Sequence, residues 1–86
     1  MINITIHNDD MNDAFVAAVD NQQPNSPTVF NKRLNHNETS GPISVQEDGN
    51  GKFSITTTAV DATGTGRSKT ENKTGTAGDQ VNVTCS

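Results

Sequence analysis

The sequence predicts an all-β domain, a small antiparallel β-sandwich or partly open barrel of about six short strands. Three observations predict it. Apolar and polar residues alternate near both ends of the chain, as Ile2-Asn3-Ile4-Thr5-Ile6 and Val81-Asn82-Val83, which is the period of a half-buried strand. Phe53 to Val60 is rich in β-branched residues, which pack well on a pleated surface. Clusters of Asn, Asp, Gly and Pro separate the runs, as turns require.

The first strand is Ile2 to His7, and an acidic turn, Asn8 to Asp13, follows it. Ala14 to Val19 is apolar on both faces, and its length suits a buried strand better than a short helix capped by Asp13. Asn21 to Pro27 holds two prolines and reads as a loop. Thr28 to Leu34 is the third strand, with Phe30 and Leu34 on one face. After a polar connection from Asn35 to Pro42, Ile43 to Glu47 forms the fourth. Asp48-Gly49-Asn50-Gly51 then supplies the positive φ of a tight hairpin, predicting that residues 45–48 pair with residues 52–55.

From Asp61 to Gln80 there is no Ile, Leu, Val, Phe or Met. With nothing to bury, residues 61–79 are expected to form a long flexible loop. Val81 to Cys85 closes the chain as the sixth strand. If successive strands alternate in direction, the loops at 8–13, 35–42 and 61–79 meet at one pole. Those at 20–27 and 48–51 meet at the other.

Composition sets limits on function. The 86 residues suffice for one domain, spanning 1–86, because a chain this short cannot divide into two cores. Six basic and 10 acidic residues give a formal net charge of −4, which opposes docking on nucleic acid or anionic lipid. No apolar run approaches the ~20 residues of a membrane helix. The start lacks a charged n-region, so the chain reads as soluble and without a signal peptide.

Only 16 residues are Ile, Leu, Val or Phe, and Trp and Tyr are missing. Small domains with thin cores usually rely on disulfides, metals or self-association. The single cysteine, Cys85, excludes a disulfide within the chain. Its phase with Val81 and Val83 predicts a buried core residue, not a nucleophile served by His7 or His36.

The densest polar cluster is the turn holding Asp9, Asp10, Asn12 and Asp13. Carboxylate and amide oxygens so close in sequence can supply the hard ligands Ca²⁺ prefers. Asn8-Asp9-Asp10-Met11-Asn12-Asp13-Ala14 resembles the acidic calcium loop of the calcium-dependent bacterial fucose/mannose lectins, an Asp-x-Asp-Tyr-Asn-Asp-Ala stretch before an apolar strand. The resemblance covers these seven residues, with Asn8 in place of an Asp and Met11 in place of the Tyr. It implies that Asp10, Asn12 and Asp13 occupy ligand positions.

Other motifs fall short. Gln46 to Thr57 has the middle of an EF-hand loop, but Gln46 and Thr57 replace its first and last carboxylates. Gly64 to Thr70 has Thr63 and Ser68 where a phosphate-binding loop needs glycine. Four N-x-Ser/Thr triplets, at Asn3, Asn37, Asn72 and Asn82, are a small excess over chance in so Asn- and Thr-rich a chain. The expected function is therefore non-enzymatic: a binding or protein-interaction and assembly module, whose partner is another protein or a second copy. The alternative is a small calcium-dependent, lectin-like carbohydrate-binding domain.

Overall fold

The computed structural model describes residues 1–86. The chain forms seven strands and no helix: β1 (Ile2–Asn8), β2 (Ala14–Asp20), β3 (Thr28–Leu34), β4 (Ile43–Val45), β5 (Lys52–Asp61), β6 (Ser68–Thr76) and β7 (Gln80–Val83). They build two sheets, one of three strands in the order β4-β1-β7 and one of four in the order β3-β2-β5-β6. With no helix present, none is long and apolar enough to cross a membrane.

Each sheet turns one apolar face inward. Ile4, Ile6, Ile43, Val45, Val81 and Val83 from the smaller sheet meet Ala14, Val16, Ala18, Leu34, Phe53, Ile55 and Ala59 from the larger one. Cys85 joins this core, 1 % exposed, as its phase predicts. Small alanines on β2 face larger side chains, which lets so thin a core close without large voids. Phe30 packs half-buried at the margin beside Val29. There the β2–β3 register shifts between Ala18 and Val19.

Three features differ from the sequence expectation. First, β1 and β7 run parallel, with Ile6 opposite Val81 and Asn8 opposite Val83, so the sandwich is not purely antiparallel. Second, the segment expected as a flexible loop at 61–79 contains β6, paired with β5 from Val60↔Ser68 to Lys52↔Thr76. An edge strand needs only a backbone partner and one covered face, and the apolar strand β5 provides the partner. The sequence of β6 does alternate, Ser68, Thr70, Asn72, Thr74 and Thr76 on one face against Lys69, Glu71, Lys73 and Gly75 on the other. Its alternation is written in polar residues.

Third, residues 45–48 and 52–55 do not form a hairpin. β4 pairs with β1, whereas β5 pairs with β2 and β6. The Asp-Gly-Asn-Gly segment is instead a turn that carries the chain between sheets. Asp48 Oδ1 accepts from Asn50 N at 2.7 Å and Lys52 N at 3.0 Å, and these donors hold its carboxyl below the usual range.

The loops gather at two poles much as alternation predicts. Asn8–Asp13, Asn35–Asn37 and Asp61–Arg67 meet at one, joined by the chain end at Thr84–Ser86. At the other pole, Asp20 Oδ2 accepts from Gln46 N at 2.7 Å and Asn21 N donates to Ser54 O at 2.9 Å.

Candidate functional site

The acidic turn is the centre of the first pole, and its carboxylates diverge. Asp10 is 5 % exposed and points inward to Arg67. The guanidinium grips it with two nitrogens, Nη2 to Oδ2 at 2.8 Å and Nη1 to Oδ1 at 3.3 Å. Backbone N–H groups of Asn12 and Cys85 donate to the same carboxylate at 3.0 and 3.1 Å. Arg67 therefore holds the Asp10 carboxyl below its ordinary range, against the opposing effect of burial. The pairing is reciprocal, since Asp10 raises the Arg67 guanidinium.

Asp13 leans the other way. Arg33 Nη2 meets its Oδ2 at 2.8 Å and His36 N donates to Oδ1 at 2.8 Å, and both lower its carboxyl, Arg33 more. Asp9 faces solvent. Its backbone N–H donates to Val83 O at 2.9 Å, which continues the β1–β7 ladder past Val83. Asn12 Nδ2 donates to Asp61 Oδ2 at 3.2 Å. Of the four residues read as calcium ligands, Asp10 and Asp13 turn to different arginines and Asn12 bridges Asp10 and Asp61, and no three His, Cys, Asp or Glu side chains group as a metal centre.

Three pole residues lie outside the four read as calcium ligands. Asn8, fully buried, donates from Nδ2 to Leu34 O at 2.9 Å and Asn12 O at 3.0 Å, and accepts Asp10 N at 2.9 Å. These carbonyls and that of Asn35, 3.3 Å away, face its amide and explain why this position is Asn and not Asp. Asp61 accepts from Thr63 N at 2.7 Å, from the Thr63 and Thr65 hydroxyls, and from Arg67 at 3.4 Å. Those donors, the Thr65 hydroxyl first, hold its carboxyl far below the usual range. The third is Arg67 itself, which lies in the segment the sequence predicts to be a flexible loop. It is the counter-ion shared by Asp10 and Asp61.

Nothing at this pole assembles a nucleophile and base. Burial, with the Asp10 charge, pushes the Cys85 thiol up, and a protonated buried thiol is inert. His36 Nδ1 lies 2.6 Å from Asp10 O, and His7 Nδ1 lies 2.7 Å from the exposed Thr39 hydroxyl.

A second surface stands out on the larger sheet. Its outer face carries Phe15 and Val60 directly opposite each other, 51 % and 41 % exposed. The Arg33 guanidinium lies 5.8 Å from the Phe15 ring centre. Beside them runs a ladder of hydroxyls and amides: Thr58 with Thr70 at 3.1 Å, Thr56 with Asn72 at 2.8 Å, and Asn21 with Thr56 at 3.0 Å. By strand alternation, the charged side chains that the strands place on this face are Arg33 and Lys52, and Asp13, just before β2, pairs with Arg33 at its border. On the open side of the sandwich, a cavity of 260 Å³ lies between β6 and β7 over buried Phe53.

No family model, no curated protein and no solved structure matched the chain.

Proposed function

We propose that the domain is a non-enzymatic protein-interaction module whose contact surface is the outer face of the four-stranded sheet. The supporting observation is the exposed Phe15–Val60 pair on a face whose strands carry no acidic side chain, with Asp13 paired to Arg33 at its border, in a chain of net charge −4. Contiguous apolar surface bordered by polar groups is characteristic of contact sites. Charged residues are scarce at the centre of interfaces because stripping water from them is costly. Hydroxyls and amides already bonded to one another along the ladder lose less on desolvation than free ones. Phe15 would be the anchor, held upright by Arg33, which Asp13 holds in turn.

The test is a photo-crosslinking side chain at position 15, compared with one at exposed Ser44 on the opposite sheet, in the source cell. A discrete adduct from position 15, absent from position 44 and lost with Val60→Lys, is the expected result. Its mass tells a second copy from a different protein. Equal or no adducts from both positions would end this reading.

A further inference from the structure

We infer that the free edge of β7 is a second interaction site, one that accepts an extended, uncharged peptide segment of another protein as an added strand. The inference is independent of the outer face, since binding at either neither requires nor excludes the other.

The sandwich has four edge strands, and three are guarded. β3 has a register shift opposite Ala18/Val19 and places Lys32 opposite buried Val16, on its core side. β4 has three residues and follows Pro42 directly. β6 turns Lys69, Glu71 and Lys73 toward the core side, opposite Ala59, Thr57 and Ile55, with Glu71 3.2 Å from Lys73. Bulges, proline and inward-pointing charges are known protections against strand addition. β7, Gln80-Val81-Asn82-Val83, has none of these and is limited only by its length.

Its backbone is aimed for pairing. Thr5 N donates to Asp79 O at 3.1 Å and Asp9 N to Val83 O at 2.9 Å. In a parallel ladder alternate residues serve one neighbour, so the N–H and C=O of Gln80 and Asn82 are directed to the open side. The complement of such a row of donors and acceptors at strand spacing is another strand.

The layers leave room for one. β3 and β4 are neighbours across the layers at one side of the sandwich. The strand in excess on the larger sheet is therefore β6, at the other side, above the β7 edge. The 260 Å³ cavity lies there, with Phe53 beneath it and Lys73 and Asp79 at its rim. A strand added to β7 would place one small apolar side chain in that cavity. Lys69 and Lys73 are balanced by Glu71, which pairs with both, and by Asp79, so an uncharged segment fits better than an acidic or basic one. A second copy is a poor occupant: β7-to-β7 pairing would bring the two overhanging β6 strands onto each other.

The experiment uses the whole domain, isotope-labelled, and the blocked peptide Thr-Val-Thr-Val-Thr-Val as probe. At millimolar peptide the amide signals of Gln80 and Asn82 should move first, and exchange of the Asn82 amide should slow. The same peptide N-methylated at alternate amides, on the edge that would pair, should bind at least tenfold more weakly. Asn82→Pro, which removes an outward donor, should weaken the unmodified peptide by a similar factor, with a thermal melt checking that the variant folds. Unmoved signals at 80–83, shifts confined to β3, β4 or the Phe15 face, or equal binding of methylated and plain peptide would each overturn the inference.

Discussion

The two poles of the sandwich solve the same problem with different chemistry. Each buries an aspartate that ties loops together. At the 20–27 end, Asp20 is fully buried and receives Gln46 N at 2.7 Å, Gln23 Nε2 at 2.8 Å and Gln22 N at 3.0 Å, all neutral donors. At the 8–13 end two buried carboxylates, Asp10 and Asp61, stand close enough to share one guanidinium. One carboxylate can be satisfied by N–H groups alone, but two in one site repel and need a cation between them. The first pole is thus an electrostatic lock and the second a hydrogen-bonded one.

The largest expected effect is that of Arg67→Met. It leaves two carboxylates buried without their cation, and breaking a buried pair from one side is far more damaging than never having formed it. The melting temperature should fall by more than ~10 °C. Asp20→Asn, which turns one acceptor into a clashing donor, should cost only about 1–2 kcal/mol. Equal losses at the two poles, read by thermal unfolding, would erase the distinction between them.

Next in size is Asn8→Asp. The added oxygen would face Leu34 O and Asn12 O, both of which now accept from the Asn8 amide. A buried and a part-buried carbonyl lose their donor and a third negative charge enters the pole, a cost of about 3 kcal/mol. The variant also restores the acidic residue of the calcium-loop pattern. Denaturant unfolding checks it, and a neutral outcome would mean that the amide contacts carry no weight.

How much of this was legible follows from the alphabet in which each part is written. β1 and the β5 strand are spelled in Ile, Val and Phe with period two, and so is the phase that buries Cys85. β6 has the same period in Thr, Asn and Lys, to which hydrophobic periodicity is blind. Asp48-Gly49-Asn50-Gly51 is a strong turn signal, yet turn chemistry is local and says nothing of which sheet each flank joins. The pole's membership was legible from strand alternation, since Asp13, His36 and Asp61 all fall at one end. Its charge partner was not, because Arg67 lies 57 residues from Asp10 in a stretch without apolar markers.

Acid should loosen the arginine lock. Asp10 and Asp61 have folded-state values lowered by their donors. A lowered carboxyl contributes stability that is complete above its unfolded value, about 3.9, and that disappears as pH falls through the folded one. The melting temperature should therefore be level from pH 7 to pH 5 and decline below about pH 4. Exchange protection of the Asn12 and Cys85 amides, which donate to Asp10, should weaken with it. In Arg67→Met the decline should be shallower, because the cation that lowers Asp10 is gone. A wild-type curve flat to pH 2 would mean that the ionised Asp10 and Asp61 contribute nothing to stability.

The smallest expected effect separates the arginine lock from the calcium reading of the same turn. Asp9, Asp10 and Asp13 crowd negative charge into five residues, and that crowding is the argument for a divalent ion. Arg67 and Arg33 already supply counter-charge at 2.8 Å from Asp10 and Asp13, and these two carboxylates turn to different cations. Ca²⁺ would have to displace a bidentate guanidinium and gather six or more oxygens from groups that now diverge. Millimolar Ca²⁺ should therefore move the melting temperature by less than about 1 °C relative to chelator, within the range of ionic-strength effects on surface charge. Saturating a real site 100-fold above its dissociation constant adds ~2.7 kcal/mol, which on a domain of this size is about 10 °C or more. The control is Arg67→Met. With the guanidinium removed, Asp10 and Asp61 lack a cation, so calcium dependence there alone would show that the arginine occupies the place an ion would take. Calcium dependence in the wild type, lost in Asp10→Asn, would instead make the acidic turn a metal site and put the lectin-like alternative ahead of the interaction module.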